Sequence, residues 1–306
     1  MADLTAPTTS GPRAAGAHEF DATKARSQGE LVLRRFLRHK LAMTSLATLV
    51  LLIVMAYVGP VFWAFSYEDT SSGSYLAPSP DHPLGTTQVG KDLLALLMRG
   101  TQYSIQIGLL AALAATVLGV LLGALSGYLR GFVDSLVNRV VDLLLILPLI
   151  GVAAIVIRAI SGAWFVVALT VAAFLWMQIA RITRGETLSL SEREFVEAAR
   201  ASGAGTWRII LKHLVPNMVG SITVNATLTV ATAVLTEAAL SFLGLGVQIP
   251  DTSLGVIIGE NYTQVMMRPW LFWAPFLVLV LISLTINFIG DGLRDAFDPR
   301  QTKVRA

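Results

Sequence analysis

The sequence predicts an all-α membrane protein with six transmembrane helices. Hydrophobic residues fill 54% of the 306 positions and charged residues only 14%. Mean hydropathy is +0.66. Uncharged stretches long enough to cross a bilayer, which takes about 20 helical residues, recur along the chain. An ordinary soluble domain is less apolar than this. The absence of cysteine excludes disulfides, thiolate chemistry and cysteine-ligated metals, and leaves the compartment open. The net charge of +3 would suit an anionic partner, but in a membrane chain sidedness explains it better.

Residues 1–30 mix Ala, Gly, Thr, Ser and Pro with scattered charges and lack the apolar core of a signal peptide, so they read as a disordered tail. Within 31–80, no formal charge occurs from Leu41 to Tyr67, which places a first span at about 41–63, followed by the start of an outer loop. The core, 81–290, is expected to hold five more spans. The run Gly100 to Leu129 is rich in small residues that let helices approach closely and predicts a span at about 103–128. Leu143 to Ile157 is short, so a third span at about 136–158 needs Arg139 and Asp142 at the interface. Ala159 to Ala180 predicts a fourth at about 163–180. Pro216 suits a first helical turn and opens a fifth at about 217–239, and Pro269 to Gly290 supplies a sixth at about 269–290. Residues 291–306 follow as a C-terminal tail.

Six spans put both termini on one side. Of the 23 basic residues only Lys91, Arg99, Arg158 and Arg268 fall on the other, so the positive-inside rule makes both termini cytoplasmic. Outside lie an irregular loop from Phe65 to Gln102, carrying Pro78, Pro80 and Pro83, and a connection from about Ser241 to Pro269. The latter contains LSFLGLGVQIP, Leu240 to Pro250, which reads as partly re-entrant where protein or a water-filled cavity satisfies its backbone.

Between Arg181 and Pro216 lies a polar island. Ser191 and Glu194 have the spacing of a capping box before Phe195 and Val196. A short helix should run from there to about Ser202, where Gly203 and Gly205 turn left-handed and stop it. Thr206 then caps a second helix whose apolar side is Trp207, Ile209, Ile210 and Leu211. Three uses compete: an amphipathic loop on the membrane surface, a helix-turn-helix for DNA, and a knob gripped by a partner. The island's weak basic excess and its tethering to the bilayer speak against DNA. The residues themselves leave the first and third level.

The stretch from Glu197 to Asn217 resembles the EAA signature of ABC-importer permeases. Glu197, Ala198, Ala199, Gly203 and Pro216 match at the family's spacing, while His213 and Val215 stand where Ile and Leu are usual. His82 to Gly100, HPLGTTQVGKDLLALLMRG, resembles the entry to the second helix of the dipeptide/oligopeptide/nickel permease subfamily, with Thr87 and Lys91 where Asp and Arg are common. Leu240 to Pro250 and GDGLRDAFDPR, Gly290 to Arg300, are similar to its outer and C-terminal signatures, and the extra N-terminal span resembles the C-type permease subunit.

The resemblance implies a type I ABC-importer permease fold with a cytoplasmic coupling helix, in a bacterial plasma (inner) membrane. It implies one half of a heterodimeric pathway for di- or oligopeptides, formed with a second permease subunit, one or two ABC ATPase subunits and an extracytoplasmic substrate-binding protein. The implied coupling residues are Glu194, Glu197, Ala198, Ala199, Arg200, Gly203, Ala204 and Pro216, within a coupling region 181–216. No G-x-x-x-x-G-K-[ST] loop occurs, so ATP and Mg belong to the partner ATPases and this chain binds no cofactor and catalyses nothing. Candidate pathway residues are Asn225, Thr229, Thr232 and the in-span acid Glu237, which equally suits a structural role at the outer end of its helix. The four histidines are scattered and show no metal cluster, although a nickel or haem importer stays open. A secondary transporter of another class would need discontinuous charged helices or related halves.

Overall fold

The computed structural model describes residues 28–160 and 162–298; most of the tail expected at 1–30, and residues 299–306 of that expected at 291–306, lie outside them. The described residues form α1 (Gln28–Arg38), α2 (Lys40–Phe62), α3 (Leu93–Leu129), α4 (Gly131–Ile146), α5 (Leu149–Ile160), α6 (Trp164–Leu190), α7 (Glu194–Ala201), α8 (Thr206–Ile209), α9 (Val215–Asn217), α10 (Val219–Phe242), α11 (Leu254–Asn261) and α12 (Pro269–Phe297). Five of these helices are long and apolar enough to cross a membrane, and α4 with α5 makes a sixth if the bent pair counts as one span.

The scaffold centres on α3, which packs along α6 and against α10. Gly119, Gly123 and Gly127 recur every fourth residue on its α6 side, where a Cβ on Gly127 would stand 2.8 Å from the Arg184 carbonyl oxygen. Removing side chains there lets the two backbones approach, which is how small residues drive helix association in lipid. One core surrounds this contact, with Ile107, Ala111, Val167, Val171 and Ile179. A second joins Leu52 of α2, Val234 of α10 and Ile282 of α12 to α3.

Several expected boundaries move. The helix expected at 103–128 starts at Leu93, because Asp92 caps it by accepting the Ala95 amide at 2.8 Å. Arg99 remains inside that helix because Asp251 pairs with it at 3.0 Å. The helix expected at 163–180 runs on to Leu190, and the last span, expected to end near 290, runs to Phe297. Residues 291–297 are therefore helix rather than tail, and Asp295 among them lies 3.4 Å from His39, just after α1. The span expected at 136–158 is broken and bends by 90°. Leu147 is extended (φ −73°, ψ 131°) before Pro148, as the steric demand of a following proline requires. At the other end Gln28, Gly29 and Glu30 begin a helix where the tail was expected to continue.

Candidate functional site

Between the end of α6 and the start of α10 the chain forms a compact hairpin. No capping box forms. Ser191 still closes α6, its hydroxyl and its amide both donating to the Thr187 carbonyl oxygen, at 2.6 and 2.9 Å. Arg193, extended and without a side-chain cap, precedes α7 instead. Glu194 and Glu197 occupy the first turn, where carboxylates favour the helix dipole. The helix ends in a Schellman turn: the Gly203 amide donates to Arg200 at 2.9 Å and the Ala204 amide to Ala199 at 3.0 Å. This turn needs one left-handed residue, and Gly203 supplies it with φ +76°. Gly205, expected to be left-handed as well, has φ −71° and stands before α8, with Thr206 already in the first turn rather than at the cap.

The helix beyond α8 widens into a π-turn over Ile210–Leu214, in which the Val215 amide reaches back to Ile210. Pro216 has no amide to donate, and its ring crowds the carbonyl four residues earlier, so the wider turn absorbs the misfit.

Val196, Ile209, Ile210, Leu214 and Met218 close a buried cluster against Ala124 of α3, with Tyr128 and Leu190 packed around it. Each fully buried aliphatic side chain contributes about 1.5–3 kcal/mol, so the hairpin is anchored to the α3–α6 pair. Arg200 donates to the Tyr128 hydroxyl at 3.2 Å, with its guanidinium 5.0 Å from the ring centre. Nearby, Asp134 of α4 accepts from Ser126 of α3 and Arg184 of α6, both at 2.7 Å, which clasps three helices together. The exposed pair Arg130–Glu192 at 2.9 Å adds little.

Of the expected coupling residues, Glu194, Glu197, Ala198, Arg200, Gly203 and Pro216 are exposed, whereas Ala199 and Ala204 are half-buried against the cluster. The apolar side expected for the second helix divides. Ile209 and Ile210 are buried, while Trp207 and Leu211 remain 56% and 53% exposed. Phe195 is exposed beside Glu194. These three apolar side chains belong to the open surface and were missed. Trp207 and Leu211, four apart, share one helix face, and that spacing was the available signal.

The pathway candidates separate. Asn225 and Thr229 are half-buried and Thr232 exposed. With Ser221 and Thr236 they form one stripe along α10 at helical spacing, and Thr229, Thr232 and Thr236 each donate to the carbonyl four residues back. Glu237 lies off this stripe and is fully buried. It accepts from Ser241 at 2.6 Å and from Ser104 of α3 at 3.1 Å. Ser104 in turn accepts the Leu254 amide, and Ser253 bonds Ser241. The carboxylate therefore fastens the start of the 241–269 connection onto α3, and that connection carries α11. Asp142, expected at the interface, pairs with Arg181 at 2.9 Å.

The loop ahead of α3 is also closed on itself. Asp92 accepts from Trp63 at 3.0 Å and bonds the His82 ring at 2.8 Å, which ties the end of α2 to the start of α3. Tyr67 faces Arg99 with the guanidinium 4.8 Å from its ring centre. Burial, with a hydrogen bond to Glu68, pushes the Tyr67 hydroxyl pKa up.

Comparison with known proteins gives a consistent picture. Residues 119–303 match the family model described as binding-protein-dependent transport system inner membrane component. Residues 27–78 match the N-terminal TM domain of oligopeptide transport permease C. The chain is 44% identical over 287 residues to the oligopeptide transport system permease protein OppC of Mycobacterium bovis, covering 92% of this chain and 98% of the relative. It is 38% identical over 271 residues to that of Escherichia coli, covering 87% and 89%, and 36% over 290 residues to that of Bacillus subtilis, covering 94% and 95%. Among solved structures it resembles a chain of the MetNI methionine ABC transporter in inward-facing conformations, with TM-score 0.54 and 24% identity, covering 66% of this chain and 97% of that one.

Proposed function

The chain belongs to the binding-protein-dependent transport system inner membrane components, among the C-type permeases of oligopeptide transport, and from that premise we propose that it is driven through the α7–α9 hairpin by an ABC ATPase. It is a permease subunit of an ATP-driven importer, and its cargo is di- or oligopeptides, oligopeptide being the substrate named for its relatives. A second permease completes the pathway, one or two ATPase subunits hydrolyse ATP with Mg, and a binding protein delivers peptide outside. Both termini and the hairpin face the cytoplasm, in accord with the distribution of basic residues. The stripe Ser221, Asn225, Thr229, Thr232 and Thr236 lines the pathway, where its hydroxyls meet peptide or water rather than lipid.

One observation carries the coupling assignment: α7 leaves Glu197 and Ala198 exposed while Val196 is buried against α3. A force on that surface passes into the helix pair at the centre of the scaffold, and a small displacement there biases a two-state packing. ATPase closure then swings the spans between inward-facing and outward-facing arrangements.

The test is peptide uptake by the reconstituted complex together with ATPase co-purification. Glu197→Lys reverses an exposed charge, and Gly203→Val strains a left-handed position whose surroundings are otherwise open. Both variants should insert normally and lose uptake. Normal uptake in both would remove the coupling assignment, and uptake without ATP would remove the importer class.

A further inference from the structure

Helix α1 is absent from the transport cycle described above, yet it is the most strongly two-faced helix among the described residues. One side is fixed to the protein. Phe36 is buried with Ala42 and Ala296, and Val32 packs there with Ile289 and Leu293 of α12. Gly292 admits the Phe36 ring, which would stand 3.3 Å from an added Cβ. The polar groups on this side also point to α12: Arg35 donates to the Asp298 carbonyl oxygen at 3.4 Å and His39 lies 3.4 Å from Asp295. His39, extended and capping α2 by accepting the Ala42 amide, stops α1 from continuing into the span.

The other side carries two pairs at helical spacing. Leu33 and Leu37 are 57% and 53% exposed, and Leu31 is also exposed on the far flank. Arg34 and Arg38 are exposed between those flanks, and neither makes an ion pair among the described residues. Lys40 follows at the start of the span. At the end of α12, Asp295 faces His39 and the Asp298 carbonyl oxygen accepts from Arg35. Glu30 is the one acid on α1.

We propose that this face of α1 is a binding surface for anionic phospholipid. A helix joined directly to a span cannot leave the bilayer boundary, and the only arrangement serving both pairs lays it in the interface. Leu33 and Leu37 then sink to the acyl boundary while Arg34, Arg38 and Lys40 reach phosphate oxygens. The stems of the arginines lie along apolar surface with their heads at the phosphates. Because α1 is bonded to the end of α12, which packs along α2 and α10, the lipid surface becomes a fixed support for the outer wall of the scaffold. The proposal rests on the membrane placement and not on the cargo or the ATPase contact.

The experiment uses the assembled transporter in nanodiscs of phosphatidylcholine with or without phosphatidylglycerol, with cysteine-free partner subunits. The chain itself has no cysteine, so nitroxide labels on the single variants Leu33→Cys and Leu37→Cys report this face alone. Both labels should collide with oxygen and be sheltered from a water-soluble nickel chelate. Retention of phosphatidylglycerol by the purified complex should fall about five-fold for each of Arg34→Gln and Arg38→Gln, with assembly intact. Three results would overturn the proposal: labels open to the chelate, which means a solvated helix; labels shielded from both reagents, which means that protein covers the face; or lipid retention unchanged in the double glutamine variant.

Discussion

Two sites in this molecule treat their carboxylates in opposite ways. Where α3 begins and α10 ends, Glu237, Ser104, Ser241 and Ser253 close on one another, and Asp92 collects Trp63, His82 and the Ala95 amide. In the α7–α9 hairpin Glu194 and Glu197 stand in the open on a helix anchored beneath by Val196 and Ala199. Carboxylates of one chemical type thus serve two purposes. Those satisfied within the chain hold connections onto the scaffold, because a buried polar group without a partner costs about 1–3 kcal/mol. Those left exposed add little to the fold and are available to something outside it.

If the contrast holds, substitutions of Glu237 and Asp92 cost stability and those of Glu194 and Glu197 do not. The largest effect is expected at Glu237. Glu237→Ala removes the acceptor shared by Ser104 and Ser241 and leaves a cavity, a loss of about 3 kcal/mol or more. Thermal unfolding in detergent should show a marked fall in Tm, with Glu237→Gln losing less than half as much. Asp92→Ala comes next: it deletes a helix cap and two side-chain partners, for about 2 kcal/mol, and should also raise proteolysis in the loop 64–91. The smallest effect on stability belongs to Glu197→Lys, within about 0.5 kcal/mol of the parent by the same unfolding measurement, even as uptake is lost. Equal destabilisation by Glu197→Lys and Asp92→Ala would erase the distinction.

Much of this architecture is legible in the sequence for one reason: in lipid a run without charge has few alternatives to a helix. The runs from Leu41, Gly100 and Pro269 mark α2, α3 and α12 well. Helix ends are less visible because charge was taken as the stop signal, and the structure satisfies charges inside helices. Arg99 finds Asp251, far away in sequence, and Asp295 in the last turns of α12 finds His39. Pro148 was in plain view, but whether it kinks a span or turns it through a right angle depends on what packs against α4 and α5. At the hairpin, Gly203 is readable because a helix stop needs a residue free to turn left-handed. The division of Trp207 and Leu211 from Ile209 and Ile210 is not, because only the position of α3 decides which flank is covered. Glu237 shows the same limit, since Ser104 comes from α3 and Ser253, bonded through Ser241, from beyond α10.

The central claim, that the exposed face of α7 is where a partner applies work, is tested most directly by accessibility in the assembled and unassembled states. Ala198→Cys places a single thiol on that face in a chain with no other cysteine. In inside-out membranes its maleimide labelling should be fast when the permease is expressed alone and strongly suppressed when the ATPase subunits are present, with a short bifunctional reagent linking the two. Labelling at the same rate in both states, with no cross-link, would contradict the account.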